Sequence, residues 1–423
     1  MPEKEKICVV GLGYIGLPTA CLFATHGYRV IGIDINKEKI ETINGGNCPF
    51  EEPGMAELLK KVIRNKNLFA KTEIEPANIF IIAVQTPLEE KYKKPNLNFV
   101  ISATRKVQKV LSSGNLVILE STVPPQTTRE ILIPILGKSG LKAGKDFSVS
   151  HCPERAMPGL TLKEMIWNYR IIGGLDEKSA MRTKKLYSSF VKGKIFLTDL
   201  TTAEVVKLME NTYRDINIAM ANEFAKIAPR INIDIWEAIK LANFHPRVKI
   251  HLPGPGVGGH CIPKDPWFLI DGSHSKTQII RLARKINDSM PDYVVSEVNK
   301  FLKNIKKPIV TILGVAYKAN VDDWRETPAL RIIKLVQKKG WQVKIHDPLV
   351  KDFPYKLEKD FKKATENSDC LLLLTGHDFY KNINPTEIKN MRNKNIFDTR
   401  HCINKNKWKK IDFKVKVLGR NEP

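Results

Sequence analysis

The sequence lacks the features that mark secreted, metal-caged and membrane-spanning proteins. Its seven cysteines are odd in number and scattered, without a Cys-x-x-Cys pair, so neither a disulfide framework nor a zinc cage is predicted. No apolar run reaches the 18 or so residues that span a bilayer, and the N-terminus carries charges and then glycines instead of an apolar leader. We therefore expect a cytoplasmic protein with reduced thiols, no metal and no membrane partner.

Acidic residues are also scarce relative to basic ones. The chain of 423 residues has 69 Lys and Arg against 45 Asp and Glu, a net charge of +24. Such a charge suits a nucleic-acid binder, but the lysines are spread along the chain and no aromatic-basic recognition module occurs. We expect a basic surface that attracts an anionic substrate, with no nucleic-acid partner. The length predicts two or three domains.

The N-terminal segment carries the pattern of a dinucleotide-binding βαβ unit. Gly11, Gly13 and Gly16 form a GxGxxG turn between an apolar strand and a helix, and Asp34 closes the next strand. Glycines allow the turn and the approach of a pyrophosphate to the helix N-terminus, and the carboxylate suits ribose hydroxyls. An acid at this place favours NAD over NADP, so NAD is the predicted cofactor.

Three later apolar strands end in polar clusters, at Gln85-Thr86-Pro87, Ser121-Thr122 and Glu154-Arg155. Ligands of doubly wound sheets gather at the carboxyl ends of the strands. We therefore expect these clusters to surround the nicotinamide and the reacting carbon. Thr-Pro and Ser-Thr pairs also serve as ordinary turn and cap residues, which leaves a structural role open.

A long helical pattern follows, and after it a glycine-dense turn with a cysteine. Lys207 and Asn211 lie four residues apart, so they share one helix face and could reach the same atom. A solvated face is the alternative for that pair. Cys261 stands beside His260 and Lys264, which are cations or potential cations and would favour a nucleophilic thiolate. A buried, inert thiol is the alternative.

A second α/β pattern without GxGxxG begins near Lys307. The predicted fold class is therefore α/β, with two doubly wound Rossmann-like domains joined by a long central helical segment.

These motifs, in this order, resemble the UDP-glucose/GDP-mannose 6-dehydrogenase family over almost the whole chain. The shared segments are GLGYIGLP, STVPP, CPER, AEVVKLMENTYRDINIAMANE, GPGVGGHCIPKDP and GVAYKANVDDWRETPA. The resemblance implies an NAD-binding domain at residues 1–198 and a UDP-sugar-binding domain at residues 306–423. Residues 199–305 would form a central helical domain that carries the cysteine turn and builds a homodimer.

The implied reaction oxidises the C6 alcohol of a UDP-sugar to a carboxylate with two NAD⁺ per sugar. Cys261 would hold the intermediate aldehyde as a thiohemiacetal and then as a thioester, which water hydrolyses. The implied catalytic residues are Cys261, Lys207, Asn211, Asp265, Glu154 and Thr122. In this set a lysine and an asparagine stabilise the oxyanion, two carboxylates act on water, and a threonine helps to place that water.

The resemblance also implies two sets of binding residues. The cofactor would contact Gly11, Gly13, Tyr14, Ile15, Gly16, Asp34, Thr86, Thr122, Lys264 and Arg325. The nucleotide-sugar would contact Glu154, Arg155, Lys207, Asn211, His245, Arg247, Gly258, Lys318 and Arg400. Arg247 would come from the partner subunit of the dimer.

Within the family, the Phe244-His245-Pro246-Arg247-Val248 segment before the cysteine turn is most similar to enzymes acting on UDP-N-acetyl-D-mannosamine. Pro158 stands where the glucose enzymes carry a second glutamate, which disfavours UDP-glucose. UDP-N-acetylglucosamine and UDP-glucose remain alternative substrates. We expect Arg155 and His151 near the acetamido group, with plain packing as the alternative.

Two other classes of protein remain open at this point. One is a dehydrogenase of the hydroxyacid type, which transfers a single hydride and has no need of a cysteine. The other is a non-catalytic nucleotide- or nucleic-acid-binding regulator.

Overall fold

A computed structural model describes residues 5–89, 92–273 and 277–421. The chain divides into two compact units. Unit 1 comprises Met1–Glu210 and Trp267–Ser275, and unit 2 comprises Asn211–Pro266 and Lys276–Pro423. No helix in the described ranges is both long and apolar enough to cross a membrane.

Unit 1 is a sheet with helices on both faces. Its strands are β1 (Ile7–Val10), β2 (Val30–Ile33), β3 (Leu68–Lys71), β4 (Ile79–Ile82), β5 (Leu88–Glu89), β6 (Lys94–Pro95), β7 (Leu116–Leu119), β8 (Ser148–His151), β9 (Arg170–Gly174) and β10 (Ile195–Asp199). Its helices are α1 (Gly16–Thr25), α2 (Lys37–Asn44), α3 (Met55–Arg64), α4 (Asn98–Val110), α5 (Ile133–Gly137), α6 (Thr161–Trp167) and α7 (Glu177–Tyr187). A π-helical turn, Thr128–Leu132, leads into α5, and β5 and β6 form a separate antiparallel hairpin.

The main sheet of unit 1 has the strand order β10-β9-β8-β7-β4-β1-β2-β3. The six strands from β3 to β8 are parallel and follow the order of a dinucleotide-binding fold, whereas β9 runs antiparallel to β8. Every residue of β1 is buried because alternate side chains enter the cores on the two faces of the sheet. The order reverses between β1 and β4, which makes that crevice the expected ligand site.

The helix α8 (Leu200–Ile227) contains the division between the units, which falls after Glu210. The helix α10 (Asp265–Ser273) likewise begins at the end of one segment of unit 2 and continues in unit 1.

Unit 2 is a smaller parallel sheet. Its remaining elements are α9 (Ile235–Ala242), α11 (Gln278–Phe301), β11 (Ile309–Leu313), α12 (Pro328–Lys338), β12 (Gln342–His346), α13 (Phe361–Thr365), β13 (Cys370–Leu373), α14 (Asp378–Lys381), β14 (Asn395–Asp398), α15 (Lys405–Lys409) and β15 (Lys414–Val417). The order is β12-β11-β13-β14-β15, with its reversal between β11 and β13. The predicted class, two doubly wound units with a central helical segment, is confirmed.

The two sheets open with the same kind of turn. In unit 1, Gly11 has φ +97° and donates its N–H to the last residue of β2 at 2.7 Å. The next residue donates its N–H to Asp34 Oδ2 at 3.1 Å. In unit 2, Gly314 has φ +86° and donates to the last residue of β12 at 2.9 Å, and the next N–H donates to Asp347 Oδ2 at 2.7 Å. Positive φ explains why both turns use glycine.

Candidate active site

A cavity of about 580 Å³ lies at the carboxyl ends of β1, β2 and β4 in unit 1. Its walls include Gly11, Gly13 and Asp34 from the βαβ turn, together with Ser102 and Lys106 of α4. A cavity of this size at the strand-order reversal, beside a helix N-terminus, has the form of a dinucleotide site.

The three glycines of the turn serve different purposes. A Cβ on Gly11 would lie 2.6 Å from the carbonyl oxygen of Ala83, and one on Gly16 would lie 1.8 Å from the carbonyl oxygen of Gly11. Both positions are therefore closed by the protein itself. A Cβ on Gly13 would meet no protein atom within 4 Å. The open space above Gly13 is what a pyrophosphate needs to reach the α1 N-terminus, so the turn fits NAD.

Asp34 is held in place by three donors. Its Oδ2 accepts from Lys39 Nζ at 2.8 Å as well as from the turn N–H, and its Oδ1 accepts from the Asn36 N–H at 3.0 Å. Partial burial works to raise the pKa of Asp34, but these hydrogen bonds outweigh it and the pKa lies below its usual value. Lys39 also lines the cavity. We did not predict Lys39, although a lysine in the first turn after the acidic residue was a readable signal.

The loops after β4 and β7 are joined by two side-chain hydrogen bonds. Thr86 Oγ1 donates to the carbonyl oxygen of Thr122 at 2.8 Å, and Ser121 Oγ donates to that of Val84 at 2.7 Å. Two of the three polar strand ends are thereby brought together, since β4 and β7 are adjacent in the sheet.

The loop after β8 carries Glu154, whose carboxylate is buried. Its Oε1 accepts the N–H groups of Arg155 and Ala156 at 2.7 and 2.9 Å, and its Oε2 accepts from Arg170 Nη2 at 2.6 Å. The guanidinium of Arg155 is itself bound by Glu210 at 2.6 Å. The loop geometry therefore gives Arg155 a structural partner.

His151, the last residue of β8, is buried, and within the described part of the chain neither ring nitrogen has a hydrogen-bond partner. Burial lowers the pKa of His151 to about 3, so the imidazole is neutral.

On α8, Lys207 is buried and lies one turn from Asn211. One turn earlier, the buried carboxylate of Glu204 accepts the N–H groups of Gln126 and Thr128 at 2.6 and 2.8 Å. This contact fixes the loop that follows Thr122. Because all three α8 residues are buried, a solvated helix face does not explain them. Glu204 was missed because nothing local in the sequence marks its loop partner.

In unit 2, Cys261 lies just before α10 with its side chain exposed. Its carbonyl oxygen accepts the N–H groups of Lys264 and Asp265 at 2.9 Å each, which forms the turn into the helix. The buried Asp265 carboxylate accepts from Asn211 Nδ2 at 2.6 Å. The structure thus brings two of the predicted residues into direct contact four residues from the cysteine.

The glycines around the cysteine allow close packing. A Cβ on Gly259, where φ is +88°, would lie 2.7 Å from the Tyr317 ring, and one on Gly258 would lie 2.8 Å from the carbonyl oxygen of Glu326. A Cβ on Gly254 would lie 2.5 Å from Arg400 Nη1. The turn therefore rests on the loops that follow β11 and β14.

The expectation that His260 adds positive charge beside Cys261 was wrong. Burial, followed by the charges of Lys264 and Arg325, lowers the pKa of His260 to about 4, so the ring is neutral at pH 7. Lys264, three residues after Cys261, has its Nζ 3.6 Å from Glu326 Oε1.

Two of the remaining predicted residues of unit 2 lie against the cysteine turn, since the carbonyl oxygen of Arg325 accepts the Gly259 N–H at 3.2 Å and Arg400 lies beside Gly254. Arg325 binds Asp323 through Nε at 2.9 Å and Nη2 at 2.6 Å. Arg400 donates from Nε to the carbonyl oxygen of Leu374 at 2.8 Å, and its burial lowers its pKa to about 10. Lys318 is half-buried, and His245 and Arg247 are exposed.

Within residues 5–89, 92–273 and 277–421, no group of three or more His, Cys, Asp or Glu side chains is placed to hold a metal ion.

Three family models match the chain in sequence. They are the NAD binding domain, the central domain and the UDP binding domain of the UDP-glucose/GDP-mannose dehydrogenase family, at residues 5–191, 201–289 and 311–405.

Curated relatives match over nearly the full length. The UDP-N-acetyl-D-mannosamine dehydrogenase of Methanococcus vannielii is 48% identical over 98% of the chain and 97% of the relative. The enzyme of the same name from Pyrococcus horikoshii is 45% identical over 99% of the chain and 100% of the relative. The solved structure of the P. horikoshii UDP-D-ManNAc dehydrogenase superposes with a TM-score of 0.94 at 44% identity, over 99% of the chain and 100% of that structure.

Proposed function

The chain belongs to the UDP-glucose/GDP-mannose dehydrogenase family and is an NAD-dependent oxidoreductase, and from that premise we propose that it oxidises C6 of UDP-N-acetyl-D-mannosamine to a carboxylate. The observation that carries the choice of sugar is the near-complete coverage of relatives named for this substrate at 45–48% identity. The His-Pro-Arg-Val segment before the cysteine turn adds support.

The overall reaction consumes one sugar alcohol, one water and two NAD⁺, and yields one carboxylate, two NADH and three protons. NAD, when bound, takes a hydride from C6 in each of two successive oxidations. Gly13 and Asp34 would hold its pyrophosphate and ribose on the turn that Gly11 and Gly16 allow to form, with Tyr14, Ile15 and Thr86 beside them.

Cys261 is the proposed nucleophile. Its thiolate adds to the aldehyde carbon and forms a C–S bond, and loss of the second hydride converts the thiohemiacetal to a thioester. The exposed position of the side chain in a glycine turn, beside the charge of Lys264, supports this role. The covalent bond retains the aldehyde while the first NADH is exchanged for NAD⁺.

Lys207 and Asn211 are the proposed donors to the oxyanion that forms on the C6 oxygen. Donors of this kind, fixed in advance, contribute about 3 kcal/mol each. Asn211 is fixed by Asp265 at 2.6 Å, which supports a positioning role for that carboxylate beside its proposed role on water.

Glu154 is the proposed base for thioester hydrolysis. It would take a proton from water as the water oxygen adds to the thioester carbon, and the Cys261 thiolate then leaves. Thr122 would help to place the water.

Residues 1–198, 199–305 and 306–423 are the proposed NAD, central and UDP-sugar domains. Gly258, Lys318 and Arg400 would bind the nucleotide-sugar, whose diphosphate suits cationic side chains. Lys264 and Arg325 would reach the cofactor, and Arg155 the sugar. We place the enzyme in the cytoplasm.

We also propose a homodimer in which Arg247, with His245, binds the substrate held by the partner subunit. Apolar side chains at seven-residue spacing along α8 are exposed and support an interface there. This apolar stripe consists of Tyr213, Met220 and Ile227, which are 56%, 38% and 45% exposed.

The test is NADH production with UDP-ManNAc, UDP-GlcNAc, UDP-glucose and GDP-mannose at equal concentrations. We expect the highest kcat/KM with UDP-ManNAc and two NADH per sugar, without free aldehyde. One NADH per sugar and a released carbonyl would contradict the proposal. A preference for UDP-GlcNAc or UDP-glucose would keep the reaction and change the substrate.

A matched pair of variants tests the nucleophile. Cys261→Ser should lose steady-state turnover, whereas Cys48→Ser, at a half-buried thiol in the loop after α2, should keep it. Full activity in Cys261→Ser would exclude covalent catalysis.

A further inference from the structure

A buried charge cluster in unit 1 surrounds Glu154, the proposed base, and its other members have no part in the reaction as described so far. Its centre is Arg170, the first residue of β9, whose side chain is 4% exposed. Nη2 lies 2.6 Å from Glu154 Oε2, and Nη1 lies 3.7 Å from Glu120 Oε1. The guanidinium carbon lies 4.7 Å from the centroid of the Tyr187 ring. One cation therefore sits between two carboxylates that the sheet brings together from different strand ends.

The second carboxylate connects this cluster to the cofactor helix. Glu120 follows β7, and its Oε2 accepts from Thr19 Oγ1 of α1 at 3.0 Å. Its Oε1 accepts from Tyr187 OH at 2.9 Å. Because α1 presents its N-terminus to the cavity, Glu120 and Arg170 form a continuous contact from that helix to Glu154.

Glu154 is restrained on both of its oxygens. Two backbone N–H groups occupy Oε1 and Arg170 occupies Oε2. An ionised carboxylate offers about four acceptor positions, so these three donors leave about one for a water molecule. Removing Arg170 would free the carboxylate to rotate and would leave it buried without a counter-charge.

Burial and neighbouring charges shift the pKa values of Glu120 and Arg170 for different reasons. Burial raises the pKa of Glu120 to about 7, against the pull of Arg170. The pKa of Arg170 lies above its usual range because Glu154 and the other acidic neighbours outweigh the effect of burial. Near neutral pH the main ion-pair partner of the Arg170 guanidinium is thus Glu154, the carboxylate in direct contact.

We propose that Arg170 is a positioning residue for thioester hydrolysis, which fixes Glu154 as an oriented carboxylate and is itself fixed by Glu120, Tyr187 and, through Glu120, Thr19 of the cofactor helix. This inference rests on the proposed function, in which Glu154 acts as the base.

The prediction is specific to one chemical step. Without Arg170 the two hydride transfers proceed, and water attack on the thioester slows. Arg170→Met should therefore give a rapid burst of two NADH per subunit, followed by a steady-state rate lowered about 100-fold, the scale of a lost general base. Acid quenching should trap the acyl group on Cys261, detected by mass spectrometry. Glu154→Gln should behave alike.

The control is Arg182→Met, the same substitution at an exposed ion pair of unit 1 with Glu5, which should keep the wild-type rate and show no acyl accumulation. A burst and a steady-state rate that fall together in Arg170→Met would overturn the proposal, because a merely structural role damages both. A wild-type steady-state rate would also overturn it.

Arg170→Lys decides the matter where Arg170→Met does not fold. It keeps the charge but cannot span two carboxylates, so we expect an intact burst and a reduced steady-state rate. Wild-type turnover in Arg170→Lys, or equal loss in both phases, would count against the inference. Failure of the proposed function gives a different result, since the wild-type enzyme itself would then release aldehyde after one NADH.

Discussion

At the scale of single residues, the glycines of the βαβ turn separate folding from binding. The GxGxxG pattern was visible in the sequence, but it treats its three glycines alike. The structure distinguishes them, since a side chain on Gly11 or Gly16 collides with backbone and one on Gly13 meets nothing. A sequence motif therefore does not show which of its glycines are needed for folding and which are needed for ligand binding.

Gly13→Ala should fold normally and bind NAD weakly. Its φ is not positive, so alanine is tolerated and the free energy of unfolding should stay the same or rise by about 0.5 kcal/mol. The Kd for NAD should rise about tenfold or more, as measured by calorimetry, because the methyl group occupies the space for the pyrophosphate.

Gly16→Ala is the matched comparison. Its Cβ would lie 1.8 Å from a carbonyl oxygen, so we expect unfolding at lower denaturant by about 1–3 kcal/mol. Equal stability losses in the two variants would contradict the assignment of separate purposes.

His260 shows what sequence neighbours cannot reveal. Adjacency to Cys261 suggested a cation, but burial beside Lys264 and Arg325 lowers its pKa to about 4. Because the folded pKa lies below the value of about 6.5 in the unfolded chain, the ring stays neutral from pH 6 upward and protonates only in acid.

We therefore expect His260→Asn to leave the shape of the pH–kcat profile unchanged between pH 6 and 9, whatever its effect on the absolute rate. The measurement is steady-state NADH formation across that range for both proteins. An inflection near pH 6.5 in the wild type that disappears in the variant would show that the imidazole titrates in the active enzyme.

At the scale of elements, α8 has a row of buried polar side chains, although a helical-wheel pattern predicts that such side chains face solvent. In unit 2 this polar row includes Asp215, which accepts from Arg284 Nη1 at 2.5 Å and from Asn287 at 2.8 Å. Asn287 accepts in turn from Asn222, which accepts the N–H of Gly254 at 2.9 Å. The network joins α8 and α11 to the start of the cysteine turn. Periodicity identified the helix, but it could not name partners about 70 positions away.

Breaking the ion pair in this network should be costly. Asp215→Leu leaves the buried Arg284 without its main counter-charge, so we expect a loss of about 3–5 kcal/mol in the free energy of unfolding. The double variant Asp215→Leu with Arg284→Met should lose much less, because no buried charge remains.

Urea unfolding of the wild type, Asp215→Leu, Arg284→Met and the double variant forms a thermodynamic cycle that measures the coupling energy between the two side chains. Additive losses in that cycle would mean that the pair does not act as a unit.

At the scale of the whole molecule, the sequence was enough to predict the fold class, the cofactor and the enzyme family, because strand periodicity and ordered motifs extend along the full chain. The short strand β15, KVKV, was not predicted, since alternating lysines read as surface. Contacts such as Arg170 with Glu154 and Glu204 with its loop were also out of reach. They join residues that only the tertiary fold brings together.

The proposed dimer can be tested on the apolar stripe of α8. Tyr213→Arg should shift the molar mass in light scattering from twice 48.0 kDa toward 48.0 kDa, because a charge in an apolar interface is not compensated. Arg230→Glu, an exposed change of charge outside the stripe, is the control and should remain dimeric. A monomeric wild-type protein would reject the dimer, and with it a substrate contact from the partner's Arg247.

The repeated opening turn of the two sheets has a consequence for how such proteins are recognised. Asp34 accepts three hydrogen bonds from the described residues and keeps about one acceptor position for a ribose. Asp347 accepts five, from four backbone N–H groups and His377, and its capacity is exhausted. The same pair of a glycine and an aspartate thus has a ligand-binding role in the turn of unit 1 and a structural role in the turn of unit 2. In other doubly wound proteins, the number of acceptor positions left free on that aspartate would distinguish a turn that binds a ribose from a turn that only stabilises the fold, even where no other sequence motif remains.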